Sequence, residues 1–115
     1  MDATAATEDA LAAAMTLAEQ HRCVVAMTGE RDVITDGHQC YTINGGHPLM
    51  PRVTTLGCGL SALVAAFVAA TPDEPLQAAS AAVACFALAG RHAGETAAGP
   101  GSFNAAFLDA LYQLT

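Results

Sequence analysis

The spacing of apolar residues predicts a helix followed by strands in the first half of the chain. Thr7–Gln20 has apolar residues at helical spacing, and Thr7 is a suitable N-cap residue for that helix. Three short runs bounded by turn residues follow, and we predict strands at Cys23–Met27, Arg31–Thr35 and Gln39–Ile43. The first run is rich in valine and is expected to be buried. An Asp-Gly pair separates the last two runs and predicts a tight hairpin.

Helical spacing returns in the second half of the chain. We predict helices at Gly57–Ala70, at Leu76 to about Thr96 and at Phe103–Leu114, with Ser102 as the N-cap of the last one. Segments rich in Pro and Gly separate these helices. The order of elements predicts a single α/β domain over residues 1–115, in which a small sheet with a β-hairpin is covered by helices.

The charge of the chain narrows the classes of partner. The net charge is −7 over 115 residues. An acidic surface repels the phosphate backbone, so we do not expect nucleic acid to bind. The longest apolar stretch, Leu60–Ala70, is too short to cross a bilayer, and the N-terminus lacks the pattern of a signal peptide. These features predict a cytoplasmic protein without a membrane partner.

The cysteines do not form a recognisable metal or disulfide pattern. None of the four belongs to a C-x-x-C pair, and no histidine lies at zinc-ligand spacing from any of them. We therefore expect reduced thiols and no metal ligands in this chain. Cys23 and Cys40 fall in predicted strands and Cys85 in an apolar helix, so these three are expected in the core.

Cys58 differs from the other cysteines because it lies between Gly57 and Gly59 where a helix is predicted to begin. Unpaired N–H groups and the helix dipole at such a position stabilise an anion, such as a phosphate or a thiolate. The alternative is that the glycines allow close packing and that Cys58 is a small filler. The local pattern alone favours the packing interpretation, because short glycine motifs are weak signals.

Other candidate residues also have two interpretations each. Thr28 follows a predicted strand, at a position where ligands bind in α/β sheets, but an ordinary turn fits equally well. The strand spacing of Asp32 and Asp36 predicts that they lie on one face of the hairpin. They could bind a metal as a pair, but we favour the interpretation that they form a solvated rim of the hairpin. His47 lies in a glycine loop, as a general base or, more commonly, as an exposed loop histidine.

Several short motifs follow one another along the chain: Thr28-Gly29-Glu30, Thr35-Asp36-Gly37, Gly45-Gly46-His47-Pro48-Leu49-Met50, Gly57-Cys58 before Leu60-Ser61-Ala62, and Gly99-Pro100-Gly101-Ser102-Phe103 with Leu108-Asp109-Ala110-Leu111. Together and in this order, they resemble the motifs of the hydroxyethylthiazole kinase family. Each motif is weak alone, but the set extends over nearly all of this chain. The resemblance covers only the C-terminal half of the family's length.

This resemblance implies the C-terminal portion of a ribokinase-like fold and a kinase of thiamine salvage. Family members transfer a phosphoryl group from ATP, with magnesium, to the alcohol of 4-methyl-5-(2-hydroxyethyl)thiazole. They are trimers with the thiazole site between subunits, so a homo-oligomer or a complementing N-terminal half is the expected partner. The magnesium ligands and most of the thiazole pocket belong to the N-terminal half, so we expect none of them here.

The resemblance also implies roles for individual residues. Thr28 falls on an ATP-contacting threonine, and Cys58 on a cysteine placed where related sugar kinases carry an aspartate base. Gly57 belongs to the adjoining anion hole, and Thr55 falls on a substrate-contacting glycine. The family's usual Gly-Thr-Gly-Cys is Thr55-Leu56-Gly57-Cys58 in this chain. The branched side chain at 55 and the lost hydroxyl at 56 are expected to obstruct the anion hole.

Three hypotheses about function follow from these observations. The first is the C-terminal part of an active hydroxyethylthiazole kinase. The second is an inactive truncated or split-gene remnant that acts as a nucleotide-binding or assembly module. The third, an unrelated thiol enzyme using Cys58, lacks a partner histidine at an evident spacing. Half of a layered fold leaves the strand at Val24 and Val25 without a neighbour, so we expect the chain to associate.

Overall fold

The computed structural model describes residues 3–29, 31–44, 47–50 and 56–114, with side chains from residue 8 onward. The elements follow the predicted order, and the α/β class is confirmed. They are α1 (Ala3–His21), β1 (Val25–Met27), β2 (Arg31–Thr35), β3 (Cys40–Asn44), α2 (Leu56–Ala70), α3 (Pro75–Thr96) and α4 (Pro100–Leu114). Within the described ranges, no helix is both long and apolar enough to cross a membrane.

Helix α1 is longer than predicted, and the turn that ends it shortens the following strand. The helix begins before Thr7, so the prediction of Thr7 as its N-cap is wrong, because the alanine-rich start favours a helix by itself. At the other end, Arg22 has a left-handed φ of 51°. The Cys23 N–H donates to the Ala18 carbonyl at 3.1 Å and closes the helix. Because Cys23 belongs to this cap, β1 starts only at Val25.

The sheet is antiparallel and has β2 in its centre, in the order β1-β2-β3. Val33, Ile34 and Thr35 of β2 are all buried. Ile34 packs in a cluster with Val83 of α3. Successive side chains of a strand point to opposite faces, so Val33 and Thr35 face the other side, where α1 contacts β2. Helices therefore cover both faces of the central strand.

Strand β1 lies at the edge of this sheet. In the described part of the chain it pairs with β2 alone, Ala26 is exposed, and Val25 and Met27 are half-buried. The prediction of a buried first strand is therefore wrong for this chain, because a strand is buried only when it has cover on both faces and a neighbour on each side. The buried strand is β2.

The predicted hairpin between β2 and β3 is confirmed, and side chains hold its turn. The Thr35 Oγ1 donates to the Gln39 carbonyl at 2.7 Å and accepts from the Gly37 N–H at 3.0 Å. Asp36 Oδ1 accepts from the N–H groups of His38 and Gln39 at 2.8 and 2.7 Å. Because Gln39 belongs to this turn, β3 begins one residue later than predicted, at Cys40.

The last helix also begins earlier than predicted. Helix α4 starts at Pro100, whose fixed φ suits a first helical position. The prediction of Ser102 as the N-cap is therefore wrong, and Ser102 lies in the first turn. Its Oγ still satisfies orphan donors, because it accepts from the N–H groups of Ala98 and Gly99 at 3.0 and 3.3 Å.

Three phenylalanines form the centre of the larger core cluster. Phe86 of α3 meets Phe107 of α4 edge-on, with ring centroids 4.8 Å apart, and Phe103 stacks on Phe107 at 6.0 Å. The smaller cluster lies between the sheet and α3, around Ile34. Leu60 of α2 packs against both clusters and joins them.

The cysteines lie nearer the surface than predicted. Cys23 is exposed, and Cys40 and Cys85 are only half-buried, so the prediction that these three belong to the core is wrong. Cys23 lies in the helix cap rather than in a strand, and Cys40 lies on the outer strand β3. The small buried residues of α3 are alanines and one glycine, Gly90, instead. The prediction of reduced thiols agrees with the free state of these cysteines.

The Gly37 turn is expected to be sensitive to a single methyl group. Gly37 has a φ of 95°, and an added Cβ would lie 2.9 Å from the Cβ of Glu19 on α1. Gly37→Ala is therefore expected to lower the free energy of unfolding by about 1–3 kcal/mol, measured by urea denaturation. The matched control is Gly101→Ala, whose added Cβ would meet no atom within 4 Å. Equal effects of the two changes would contradict the steric argument.

Candidate functional site

The first turn of α2 carries Gly57 and Cys58 on the surface. The helix begins at Leu56, and both residues are exposed. The first N–H groups of a helix have no partner within the helix, so this turn presents donors and the positive end of the dipole. The hydroxyl of Ser61, four residues later in the helix, donates to the Gly57 carbonyl at 3.2 Å. The turn is therefore suited to bind an anion.

The glycines of this turn are not required for packing. Among the described residues, a Cβ added to Gly57 would meet no atom within 4 Å, and one added to Gly59 would lie 3.9 Å from the Phe86 ring, an ordinary contact. Cys58 is exposed and free, so it fills no gap in the core. The packing interpretation, which the local pattern favoured, does not account for these residues.

Leu56 does not obstruct this turn. Its side chain is half-buried and packs against the cluster of Phe86, Phe103 and Phe107. The resemblance implies a hydroxyl at this position, and in this chain the position carries an apolar anchor for the start of α2. Thr55 lies outside the described residues, so its expected contact with substrate stays a prediction.

Thr28 is exposed and directly follows β1. The turn after it is closed by the Gly29 N–H, which donates to Asp32 Oδ1 at 3.1 Å. In the described part of the chain, no hydrogen bond joins Thr28 to Cys58. Thr28 lies just after the end of β1 and Cys58 in the first turn of α2, and both are exposed to solvent. Within the described residues, neither side chain has a hydrogen-bond partner for proton transfer.

The carboxylates of Asp32 and Asp36 each accept backbone N–H groups of their own turn. Partial burial raises the pKa of Asp32, with the Gly29 N–H acting against it. The N–H groups of Gln39 and His38 lower the pKa of Asp36. Among the described residues, no group of three or more His, Cys, Asp or Glu is placed to hold a metal ion.

His47 is not the exposed loop histidine that we expected. It is half-buried, and its ring lies 6.1 Å from the Phe103 ring, centroid to centroid. Its Nδ1 accepts from the Leu49 N–H at 3.2 Å. The imidazole occupies space that a side chain at Gly94 would need. The sequence signal for this contact was Gly90 and Gly94, one turn apart on an otherwise alanine-rich helix.

Comparison with known proteins identifies relatives over the whole chain. The Hydroxyethylthiazole kinase family profile matches residues 1–115. A hydroxyethylthiazole kinase from Rhizobium rhizogenes is 56% identical over 102 residues, which are 89% of this chain and 38% of the relative. One from Cereibacter sphaeroides is 54% identical over 114 residues, which are 99% of this chain and 42% of the relative.

A solved structure agrees with these relatives. The hydroxyethylthiazole kinase from Pyrococcus horikoshii OT3 is 39% identical and superimposes with a TM-score of 0.88, over 95% of this chain and 42% of that chain. The chain therefore spans about two fifths of the length of these relatives. Its similarity to their C-terminal part, as expected from the motifs, is confirmed.

The opposite pKa shifts of the two aspartates predict opposite effects of charge removal. The folded-state pKa of Asp32 lies above its usual 3.8, so the charged form is penalised at neutral pH and the penalty disappears as the pH falls through that pKa. Asp32→Asn keeps an oxygen acceptor without the charge. We expect it to raise the free energy of unfolding at neutral pH by less than about 1 kcal/mol, because solvent screens the carboxylate.

Asp36→Asn is the matched control for Asp32→Asn. The folded-state pKa of Asp36 is lowered, so its charge stabilises the turn at neutral pH and this contribution is lost as the pH falls through that pKa. At neutral pH, urea denaturation should give a lower free energy of unfolding for Asp36→Asn than for the parent chain and a higher one for Asp32→Asn. Both differences should shrink as the pH is lowered to about 3. Differences of the same sign would contradict the two assignments.

Proposed function

Because the chain belongs to the hydroxyethylthiazole kinase family, we propose that it is the part of such a kinase that supplies the phosphoryl-transfer turn. The reaction is transfer of a phosphoryl group from ATP to the hydroxyethyl alcohol of 4-methyl-5-(2-hydroxyethyl)thiazole, in thiamine salvage in the cytoplasm. The observation that carries the proposal is the first turn of α2. Its Gly57 has open space around it as far as the described residues reach, its Cys58 is exposed, and the described packing requires neither.

The proposed chemistry is positioning and charge stabilisation, as in other phosphoryl transfers. The N–H groups at Gly57 and Cys58 bind the oxygens of the transferred group, on which negative charge accumulates. Cys58, when deprotonated, accepts the proton of the attacking alcohol. Thr28 donates its hydroxyl to a phosphate oxygen of ATP, and Thr55 contacts the thiazole.

Magnesium is proposed to be held outside the described part of this chain. When bound, the ion neutralises charge on the phosphate oxygens of ATP. The carboxylates of Asp32 and Asp36 are used by backbone N–H groups, and the described residues bring no three candidate ligands together. As the family resemblance implies, we assign the metal ligands to the remaining part of a kinase.

An uncovered surface supports the need for that remaining part. Helix α2 has no charged residue, yet none of its 15 residues is buried. A helix that is apolar all round normally lies inside a protein. Beside it, the outer edge of β1 has no strand partner in the described ranges. The two elements border a cavity of about 560 Å³ with Val24, Ala26, Val64 and Val68 in its wall.

We assign this surface to the remaining part of the kinase. The relatives possess more than half of their length beyond the segment that this chain matches, so the polypeptide that would cover α2 exists in them. A strand added to β1 would satisfy its free backbone groups, and apolar side chains would fill the cavity. Oligomerisation, trimeric as the family resemblance implies, would then complete the thiazole site.

The experiment that tests this function is complementation. The chain alone is expected to show no turnover near the rates of about 1–100 s⁻¹ typical of kinases. Adding the separately purified N-terminal part of the Rhizobium rhizogenes kinase is expected to form a complex and restore ATP-dependent phosphorylation of the thiazole. Sedimentation measures the complex, and a coupled assay measures turnover.

A surface variant provides the control for complementation. Val68→Asp places a charge in the cavity wall and is expected to prevent the complex, whereas Ala105→Asp, on the exposed side of α4, is expected to leave it intact. A stable complex without turnover would instead support an inactive assembly module. Self-association that excludes the added part would assign the surface to a second copy.

The role of Cys58 has its own test in the complemented enzyme. Cys58→Ala is expected to lower kcat by about 10²–10⁴-fold with little change in KM for ATP, because a general base acts in the transition state. Cys85→Ala is the control, since Cys85 is half-buried on α3, and it should alter stability only. Similar losses of kcat in the two variants would rule out a special role for Cys58.

A further inference from the structure

The turn formed by residues 47–50 is seated in a groove of α3. Gly90 and Gly94 lie one helical turn apart, and the chain comes so close to them that neither position has room for a side chain. A Cβ at Gly94 would overlap the His47 ring, and one at Gly90 would lie 2.9 Å from the Met50 methyl group. Two glycines on a helix lower its stability, so this close approach has a cost that the seated turn must offset.

The turn is internally bonded as well as seated. The Met50 N–H donates to the His47 carbonyl at 3.0 Å, and the Leu49 N–H donates to the Nδ1 of His47. Leu49 and Met50 pack against the aromatic cluster, and the His47 ring lies against Phe103. The turn is thus attached to α3 and α4 together.

The same cluster also holds the start of α2. Leu56 and Leu60 of α2 pack against it as well. The seated turn and the start of α2 are therefore both placed by one group of buried rings. Because the His47 ring lies against Phe103 of that cluster, a shift of the seated turn disturbs the rings against which Leu56 packs, and with them the first turn of α2.

We propose that His47 is a positioning residue, and that its seat on Gly94 determines where the first turn of α2 presents Gly57 and Cys58. This inference rests on the proposed function for its kinetic consequence. Its structural consequence does not depend on activity. His47 touches no reacting atom in this proposal and acts through the aromatic cluster that it shares with the start of α2.

Amide chemical shifts of the isolated chain test the structural consequence. Gly94→Ala adds a methyl group that displaces the His47 ring and is expected to move the ¹⁵N–¹H signals of Gly57 and Cys58. Gly101→Ala, in open space on α4, is the control and should leave both signals in place. Unmoved signals in a folded Gly94→Ala variant would overturn the inference.

His47→Ala keeps the inference testable if the added methyl group prevents folding. It empties the groove without adding an atom and is expected to move the same signals. Combining it with Gly94→Ala should recover stability, because the methyl group then occupies vacated space, while the signals of Gly57 and Cys58 remain displaced. Full return of both signals together with stability would show that His47 only stabilises the fold.

The complemented enzyme tests the kinetic consequence. His47→Ala is expected to lower kcat by about 10–100-fold, the scale of an ångström-sized misplacement, with KM for ATP nearly unchanged. His47→Asn retains an acceptor for the Leu49 N–H and should recover part of kcat. Displaced amide signals with an unchanged kcat would overturn the positioning role. An inactive parent complex would count against the proposed function, and the amide signals alone would then decide the structural inference.

Discussion

The contact between α3 and α4 through Phe86, Phe103 and Phe107 is the interaction on which the rest of the structure depends. Aromatic residues are only 5% of the chain and tryptophan is absent, so few side chains are large enough to join distant elements. The start of α2 and the turn at residues 47–50 both pack against these rings. The candidate phosphate-binding turn is therefore held by the core rather than by the sheet.

Alanine and glycine dominate the surfaces that approach this core. Helix α3 buries ten residues, mostly alanines, so neighbouring backbones come close and contacts are formed by many small groups. Where another segment is already seated, as at Gly90 and Gly94, an added methyl group forces that segment to shift. Gly57 differs from these two glycines, because no neighbour among the described residues occupies the space around it.

The sheet and α2 leave part of their surface uncovered. Strand β2 has a partner on each side and helices on both faces, whereas the outer strands β1 and β3 are each paired on one side in the described ranges. Helix α2 packs inward on α3 but keeps an uncharged outer face exposed. The unpaired backbone groups of β1 and the exposed apolar area of α2 border the same cavity, which favours a single partner that covers both. This asymmetry explains why the proposed activity depends on additional polypeptide.

Local sequence signals were sufficient for the order of helices and strands and for the hairpin. Asp36-Gly37 gave the correct turn because a left-handed glycine and an aspartate acceptor are properties of two adjacent residues. The ordered motifs were likewise sufficient for the family. Element boundaries were less certain: Cys23 looked like part of a strand, yet its N–H closes α1.

The sequence by itself determined the α/β class, the family and the presence of a glycine-flanked cysteine at a helix start, because each depends on residue types and their spacing. Only the tertiary structure decided that β1 is an edge strand, that Gly57 and Cys58 are exposed, and that His47 is seated on Gly94. Burial and steric exclusion depend on which distant segment comes to lie against a residue. Periodicity along the chain carries no information about that neighbour.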